Sequence, residues 1–260
     1  MANPVSPAPA APSVALVTGA GRGIGRTVAV RLAQAGFRVV LTARGRDALE
    51  ETAAECGSPT LVIPGDVTDP DFIEALYAEI EATWGPVEVL VANAGSGESA
   101  SVVRTTDDLW QRMLELNLTA PFRFIRRALP AMIERRHGRI VVIASVAAKV
   151  GEPYIAAYTA AKHGVLGLVR STAAETATQG ISVNAVCPGY VDTPMTQATI
   201  DTIVAKTGRS AAEARAALEA KQPNGRLITT DEVADVVMMC VRNGSITGQG
   251  LNVDGGAHQS

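Results

Sequence analysis

The sequence is poor in aromatic residues, cysteine and histidine. Phe, Trp and Tyr together make up 4% of 260 residues, so a core must be packed mainly with Ala, Val, Leu and Ile. Three cysteines, Cys56, Cys187 and Cys240, are odd in number and widely scattered. They form neither a disulfide framework nor a zinc spacing, which points to a reducing compartment. A cytoplasmic location is therefore expected. His137 and His163 lie far apart in sequence and suggest no metal site. An excess of positive charge is also missing: 23 Lys and Arg face 26 Asp and Glu, a net charge of −3. That argues against a nucleic-acid or anionic-membrane surface. No uncharged apolar run approaches the ~18 residues of a membrane span; the longest, Ile140–Ala148, is about strand length. Residues 2–12 (ANPVSPAPAAP) have no basic start and no apolar stretch. They read as a Pro/Ala-rich disordered tail, not a signal peptide.

What is present alternates. Apolar runs of strand length at Val14–Thr18, Phe37–Thr42, Thr60–Pro64, Val87–Ala92, Arg139–Ala144, Ile181–Cys187 and Gln249–Val253 are separated by segments of helical spacing. The predicted helices cover 24–35, 47–56, 71–84, 107–136 (interrupted near Pro121), 156–178, 194–220 and 231–242. Strands that are apolar throughout, each followed by a helix, predict a parallel sheet covered on both faces. No linker and no internal repeat breaks the pattern, so residues 13–260 read as one doubly wound α/β domain with seven strands. Such sheets bind ligands beyond the carboxyl ends of their strands.

The turn after the first strand is Thr18-Gly19-Ala20-Gly21-Arg22-Gly23-Ile24-Gly25. Glycines let the chain turn tightly and let a pyrophosphate approach the backbone at a helix N-terminus. The general spacing G-x-G-x-x-G does not fit, because Arg26 stands three residues after Gly23; G-x-x-x-G-x-G, from Gly19, Gly23 and Gly25, does. By itself the turn also fits an ordinary glycine-rich connection. The second strand ends Leu41-Thr42-Ala43-Arg44, without the acid that commonly binds adenosine ribose in NAD sites. Arg22, Arg44 and Arg46 surround that position instead, and arginine forks suit a phosphate dianion. NADP(H) is expected over NAD(H), unless these arginines are plain surface charges. The missing acid also weakens an S-adenosylmethionine reading. Asp66, closing the third strand ahead of Val67, is a candidate acceptor for the adenine amino group. It competes with Asp69 to cap the following helix.

Tyr158 and Lys162 are four residues apart on a predicted helix and so share one face. Ser145 closes the fifth strand at the ligand end. A tyrosine titrates near ~10, and a neighbouring ammonium lowers that value toward the working pH. A Ser hydroxyl beside the pair can hold a substrate oxygen. Alone, Tyr-x-x-x-Lys is more often an amphipathic helix with a half-buried ring.

Together with Asn93-Ala94-Gly95, Asn117, and Pro188-Gly189 with Thr193, these motifs run in an order that resembles the short-chain dehydrogenases/reductases over nearly the whole chain. Ala92 stands where that family often has Asn. The resemblance implies a Rossmann-type sheet, a homotetramer, and Tyr158 as acid/base. It implies that Lys162 binds the nicotinamide ribose and lowers the tyrosine pKa, that Ser145 orients the carbonyl, and that Asn117 holds a water in a proton relay. Gly19, Gly21, Arg22, Gly23, Ile24, Gly25, Arg44, Asp66, Val67, Asn93, Ala94 and Gly95 would contact the cofactor. So would Tyr158, Lys162, Pro188, Gly189, Val191 and Thr193.

Residues 195–224 fall where the family places a substrate lid; a plain amphipathic helix pair fits them as well. Val186-Cys187-Pro188-Gly189-Tyr190 and Leu251–Gly256 are similar to β-ketoacyl thioester and polyketide ketoreductases. Lys221-Gln222-Pro223 is similar to 3-hydroxybutyrate dehydrogenases, but their His two residues after the active-site Ser is Ala147 here. An apolar Val146-Ala147-Ala148 wall suggests a neutral, extended carbonyl substrate, most simply a 3-oxoacyl or 3-hydroxyacyl thioester. Three readings compete with this one. They are an NAD-dependent dehydrogenase of a small or cyclic alcohol or hydroxy acid, a non-catalytic dinucleotide-binding module, and a nucleotide-sugar enzyme. The last would want a larger C-terminal domain than the four residues after Gly256.

Overall fold

The computed structural model describes residues 13–259; the expected tail at 1–12 lies outside them. Seven strands, β1 (Val14–Thr18), β2 (Arg38–Thr42), β3 (Thr60–Val62), β4 (Val89–Ala92), β5 (Gly138–Ile143), β6 (Ile181–Pro188) and β7 (Gly250–Val253), form one sheet in the order β3-β2-β1-β4-β5-β6-β7. Every pairing is parallel. Each strand therefore needs a crossover, and helices fill both faces.

The alternation of side chains along each strand divides the core in two. Leu16, Val40, Leu90, Ile140 and Val183 point to one face. There they meet α3 (Pro70–Trp84), α5 (Ala120–Arg135) and α6 (Ala156–Thr176), through Leu76, Phe124 and Val165 among others. Ala15, Val17, Val39, Leu41, Val89 and Val141 point to the other. They meet Leu32 of α1 (Gly23–Gln34), Leu49 of α2 (Arg46–Cys56) and Val237 of α9 (Thr230–Arg242). Small aliphatic residues carry both layers, as the shortage of aromatics requires.

Helix ends follow local chemistry. Asp69 caps α3, accepting from the Asp71 N–H, with Pro70 next in line. Thr229 and Glu232 make a capping box at α9. Gly57 ends α2 with φ +62°, a left-handed conformation that glycine adopts without steric cost.

Two expected helices differ. The segment 107–136 is α4 (Asp107–Leu114), one turn of π-helix over Glu115–Thr119, then α5. Pro121 follows directly on the π turn and has no N–H to give to the helical ladder there, so the interruption precedes it. The segment 194–220 is α7 (Pro194–Thr207) and α8 (Ala211–Glu219). Gly208 at φ +71° closes α7, and a Ser210–Glu213 capping box opens α8. These two helices carry a small core of their own: Ile200, Ala214, Leu218 and Leu227. No described helix is long and apolar enough to cross a membrane.

Candidate active site

The strand order reverses between β1 and β4, which opens a crevice beyond their carboxyl ends. The glycine turn fills one side. A Cβ on Gly25 would lie 2.3 Å from the Gly19 carbonyl oxygen and 2.5 Å from Asn93 Nδ2, so only glycine lets α1 start this close to β1. Asn93 holds the turn in place. Its Nδ2 donates to the carbonyls of Thr18 (2.9 Å) and Gly19 (3.2 Å). Thr18 Oγ1 accepts from the N–H groups of Asn93 and Ala94. The Asn93 amide is therefore engaged by the turn's backbone. Ile24 packs on the core below, and Gly21 is buried.

Arg22 and Arg44 are exposed, and neither has an ion-pair partner among the described residues. Arg46 differs, standing 3.6 Å from Glu50. Asp66 is not the helix cap; that is Asp69. Asp66 Oδ1 instead accepts from the N–H (2.9 Å) and hydroxyl (2.7 Å) of Thr68. These bonds, with Arg44 assisting, hold its carboxyl below the usual range. The Val67 side chain belongs to the core, so any contact from this residue to a ligand falls to its backbone.

On the other side of the crevice, the loop after β5 and the start of α6 bring Ser145, Tyr158 and Lys162 together. Lys162 is 4% exposed. Its Nζ donates to the Ile143 carbonyl at 2.9 Å and stands 5.5 Å from the centroid of the Tyr158 ring. Burial pulls its pKa down to about 8. Burial also pushes Tyr158 up to about 12, with the Ser145 hydroxyl pulling the other way. The lowered tyrosine pKa expected from the Lys162 ammonium is thus not the balance found here. Desolvation is the largest influence on this phenol, and the Lys162 ammonium is not among the groups that move it. Ser145 Oγ accepts from the Ala147 N–H at 3.1 Å, which leaves its O–H free to donate. Ala147 and Ala148 are each 2% exposed, and Ala148 is core. The apolar segment expected to face substrate mostly packs inward.

Asn117 lies on the π turn and is fully buried. Its Nδ2 donates to the carbonyls of Ser96 and Met113, both at 3.0 Å, while Oδ1 has no partner. A Cβ on Gly95 would stand 2.9 Å from that Oδ1 and 3.6 Å from Lys162 Nζ, so the two polar atoms border one space. A buried carbonyl oxygen without a donor calls for a water or a ligand.

Beyond β6, Gly189 N–H donates to the Val253 carbonyl and carries the chain from Pro188 into the site. Val191 is 5% exposed, and its carbonyl accepts from Thr193 Oγ1. Thr193 caps α7 and abuts the glycine turn: a Cβ on Gly23 would lie 3.3 Å from Thr193 Cγ2. The connections after β1, β4 and β6 and the start of α6 therefore meet around one crevice.

Several participants had no distinctive sequence signal. Gly97 lies under the Tyr158 ring, where an added Cβ would reach Cδ2 at 3.6 Å. Glu152 and Tyr190 pair with Lys221 at the mouth. Only the position of Tyr190 just after Pro188-Gly189 hinted at its place.

A family model described as short chain dehydrogenase matches residues 13–204. The chain belongs to the short-chain dehydrogenase family. It is an oxidoreductase of the alcohol–carbonyl couple, with the single seven-stranded Rossmann-type sheet expected from the sequence. It is 42% identical over 250 residues to a putative ketoacyl reductase of Streptomyces coelicolor, covering 94% of this chain and 96% of the relative. It is 38% identical over 247 residues to 3-oxoacyl-(acyl-carrier-protein) reductase FabG of Escherichia coli, covering 94% and 97%. Among solved structures, a variant of actinorhodin polyketide ketoreductase with NADPH superposes with a TM-score of 0.92 at 40% identity, covering 96% of this chain and 98% of that one. Levodione reductase superposes at 0.89 with 29% identity, covering 94% and 96%. In this dehydrogenase the pair Tyr158 and Lys162 sits at the start of α6, with Lys162 Nζ bonded to the carbonyl of Ile143 at the end of β5.

Proposed function

We propose that this protein is an NADP(H)-dependent ketoreductase acting on 3-oxoacyl thioesters or closely related extended ketones. The observation that carries the reading is the convergence of Ser145, Tyr158 and buried Lys162 on the crevice that the glycine turn and the unpaired Arg22 and Arg44 border. The similarity to ketoacyl reductases over nearly full length supports it. The residues fit the cofactor: the turn leaves backbone room at a helix N-terminus, the two free arginines suit a 2′-phosphate, and Asn117 Oδ1 awaits a donor. When bound, NADPH supplies the hydride that reduces the carbonyl carbon.

The protein's own groups do the rest. The Ser145 hydroxyl donates to the substrate carbonyl oxygen and sets its position. Tyr158, protonated at neutral pH because burial holds its pKa high, gives that oxygen its proton from Oη. Lys162 stabilises the tyrosinate left behind and would hold the cofactor ribose. Asn117 Oδ1 accepts from a water that returns a proton through Lys162. The backbone at Gly95, Gly189 and Val191, with Thr193, would hold the nicotinamide, and α7 and α8 would serve as a lid over the substrate.

The enzyme works as a homotetramer in a reducing, cytoplasmic setting. Exposed Trp110 on α4 and Phe122 on α5 support an assembly face there, and light scattering reads the mass. The central experiment is oxidation of NADPH and NADH with acetoacetyl thioester, acetoacetate, a cyclic ketone and an aryl ketone. NADPH with the thioester should be the fastest pair. Turnover only with NADH, or none with any ketone, would sink the reading.

A further inference from the structure

Three segments that are distant in sequence meet at the mouth of the site. Glu152 lies on the β5–α6 connection, six residues before Tyr158. Tyr190 follows β6, and Lys221 ends the lid. Lys221 Nζ donates to Glu152 Oε2 at 3.1 Å and to the Tyr190 hydroxyl at 3.2 Å. The Tyr190 hydroxyl donates to the same Glu152 oxygen at 3.2 Å. The ammonium also stands 5.2 Å from the Tyr190 ring centroid. Beneath them Gln222, 2% exposed, fixes Tyr190 by accepting from its N–H (2.9 Å) and donating to its carbonyl (3.2 Å). The cluster is ordered from below and open above: the Glu152 and Lys221 side chains are 23% and 48% exposed.

We propose that the Glu152–Lys221 pair, seated on Tyr190, makes the enzyme select neutral ketones over keto acids. This rests on the ketoreductase reading above and names its substrate class. Lys221 has two of its three N–H donors spent, one on a carboxylate and one on a phenol. An incoming carboxylate meets a lysine already neutralised, and it meets the Glu152 charge at close range. Like charges brought together at a partly desolvated site discriminate by repulsion. A thioester or ester carbonyl carries no charge and feels neither effect.

The test compares acetoacetate with ethyl acetoacetate, which share the reacting ketone and differ in one charge. Glu152→Gln keeps the size and an acceptor for Lys221 but removes the negative charge. It should raise the kcat/KM ratio of acid to ester roughly tenfold, mainly through KM, the weight of one charge-assisted hydrogen bond at a half-exposed site. Lys221→Met should move the ratio the opposite way, because Glu152 is then unopposed. In the unaltered enzyme, discrimination against the acid should shrink as salt is raised, since screening acts on exposed charges.

A pair that served only to hold the lid down would give both variants the same direction of change. That result, or ratios unmoved by either variant and by salt, overturns the proposal while leaving an active ketoreductase. Unaltered enzyme that oxidises NADPH with neither ketone overturns the ketoreductase reading and this one with it.

Discussion

The two walls of the active-site crevice are built differently. The glycine-turn wall is backbone against backbone: Gly25 beside the Gly19 carbonyl, with the Asn93 amide bonded to the turn, all resting on two deep core layers. The lid wall is side chain against side chain. It has four buried apolar residues of its own and is moored by half-exposed ion pairs such as Arg215–Asp192 and Lys221–Glu152. Exposed pairs contribute only about 0–1 kcal/mol each. The cofactor wall is thus rigid by exclusion, because little else fits, while the lid is held by weak and replaceable contacts. A reductase that keeps one cofactor and varies its substrate needs that division.

The sharpest cut through the comparison removes chemistry without touching either wall. Tyr158→Phe should lower kcat by about 10²–10⁴-fold while cofactor affinity, followed by fluorescence titration, stays put; an unchanged kcat would refute the acid role. Breaking the rigid wall comes next. Gly25→Ala forces a backbone shift worth about 1–3 kcal/mol, so Tm should fall by about 2–10 °C, with weaker cofactor binding. Arg44→Asp leaves that wall standing and changes what it reads. The NADPH-to-NADH preference should fall roughly 10–100-fold, and a constant ratio would remove Arg44 as the phosphate reader. On the soft wall, Leu218→Ala should raise KM a few-fold while moving the global unfolding midpoint less than Leu90→Ala in the sheet, because the lid can open by itself. Equal shifts would show that the lid is part of the main core.

A further effect is a pH dependence of stability. Lys162 titrates at about 8 in the fold against ~10.4 unfolded. Between those values the unfolded chain binds the extra proton, so this residue makes stability rise with pH across that window and leaves a constant penalty below it. Denaturant melts at pH 7.5 and 10 should show that component in the unaltered protein and not in Lys162→Met.

The same contrast explains what was legible in the sequence. The seven parallel strands, the glycine turn, and the shared helix face of Tyr158 and Lys162 were readable because each rests on short-range rules: apolar runs, glycine spacing, and a four-residue helical repeat. Asp66 could not be separated from Asp69 by spacing alone; the Thr68 hydrogen bonds decide it. The Tyr158 pKa went the other way because burial is a property of the packed state. Glu152, Tyr190 and Lys221 are spread over 70 positions and meet only through the fold.

The π turn at Glu115–Thr119 has its own consequence. Relative to a regular helix it holds one surplus residue, which offsets everything after it by about a hundred degrees of rotation. Asn117 rides inside that offset. Deleting a single residue there would restore a regular α-helix and put α4 and α5 out of phase. Either α5 would keep its packing on the sheet, or Asn117 would keep its view of Lys162, but not both. The irregularity works as a phase shifter, letting one continuous rod answer to the core at one end and to the site at its middle.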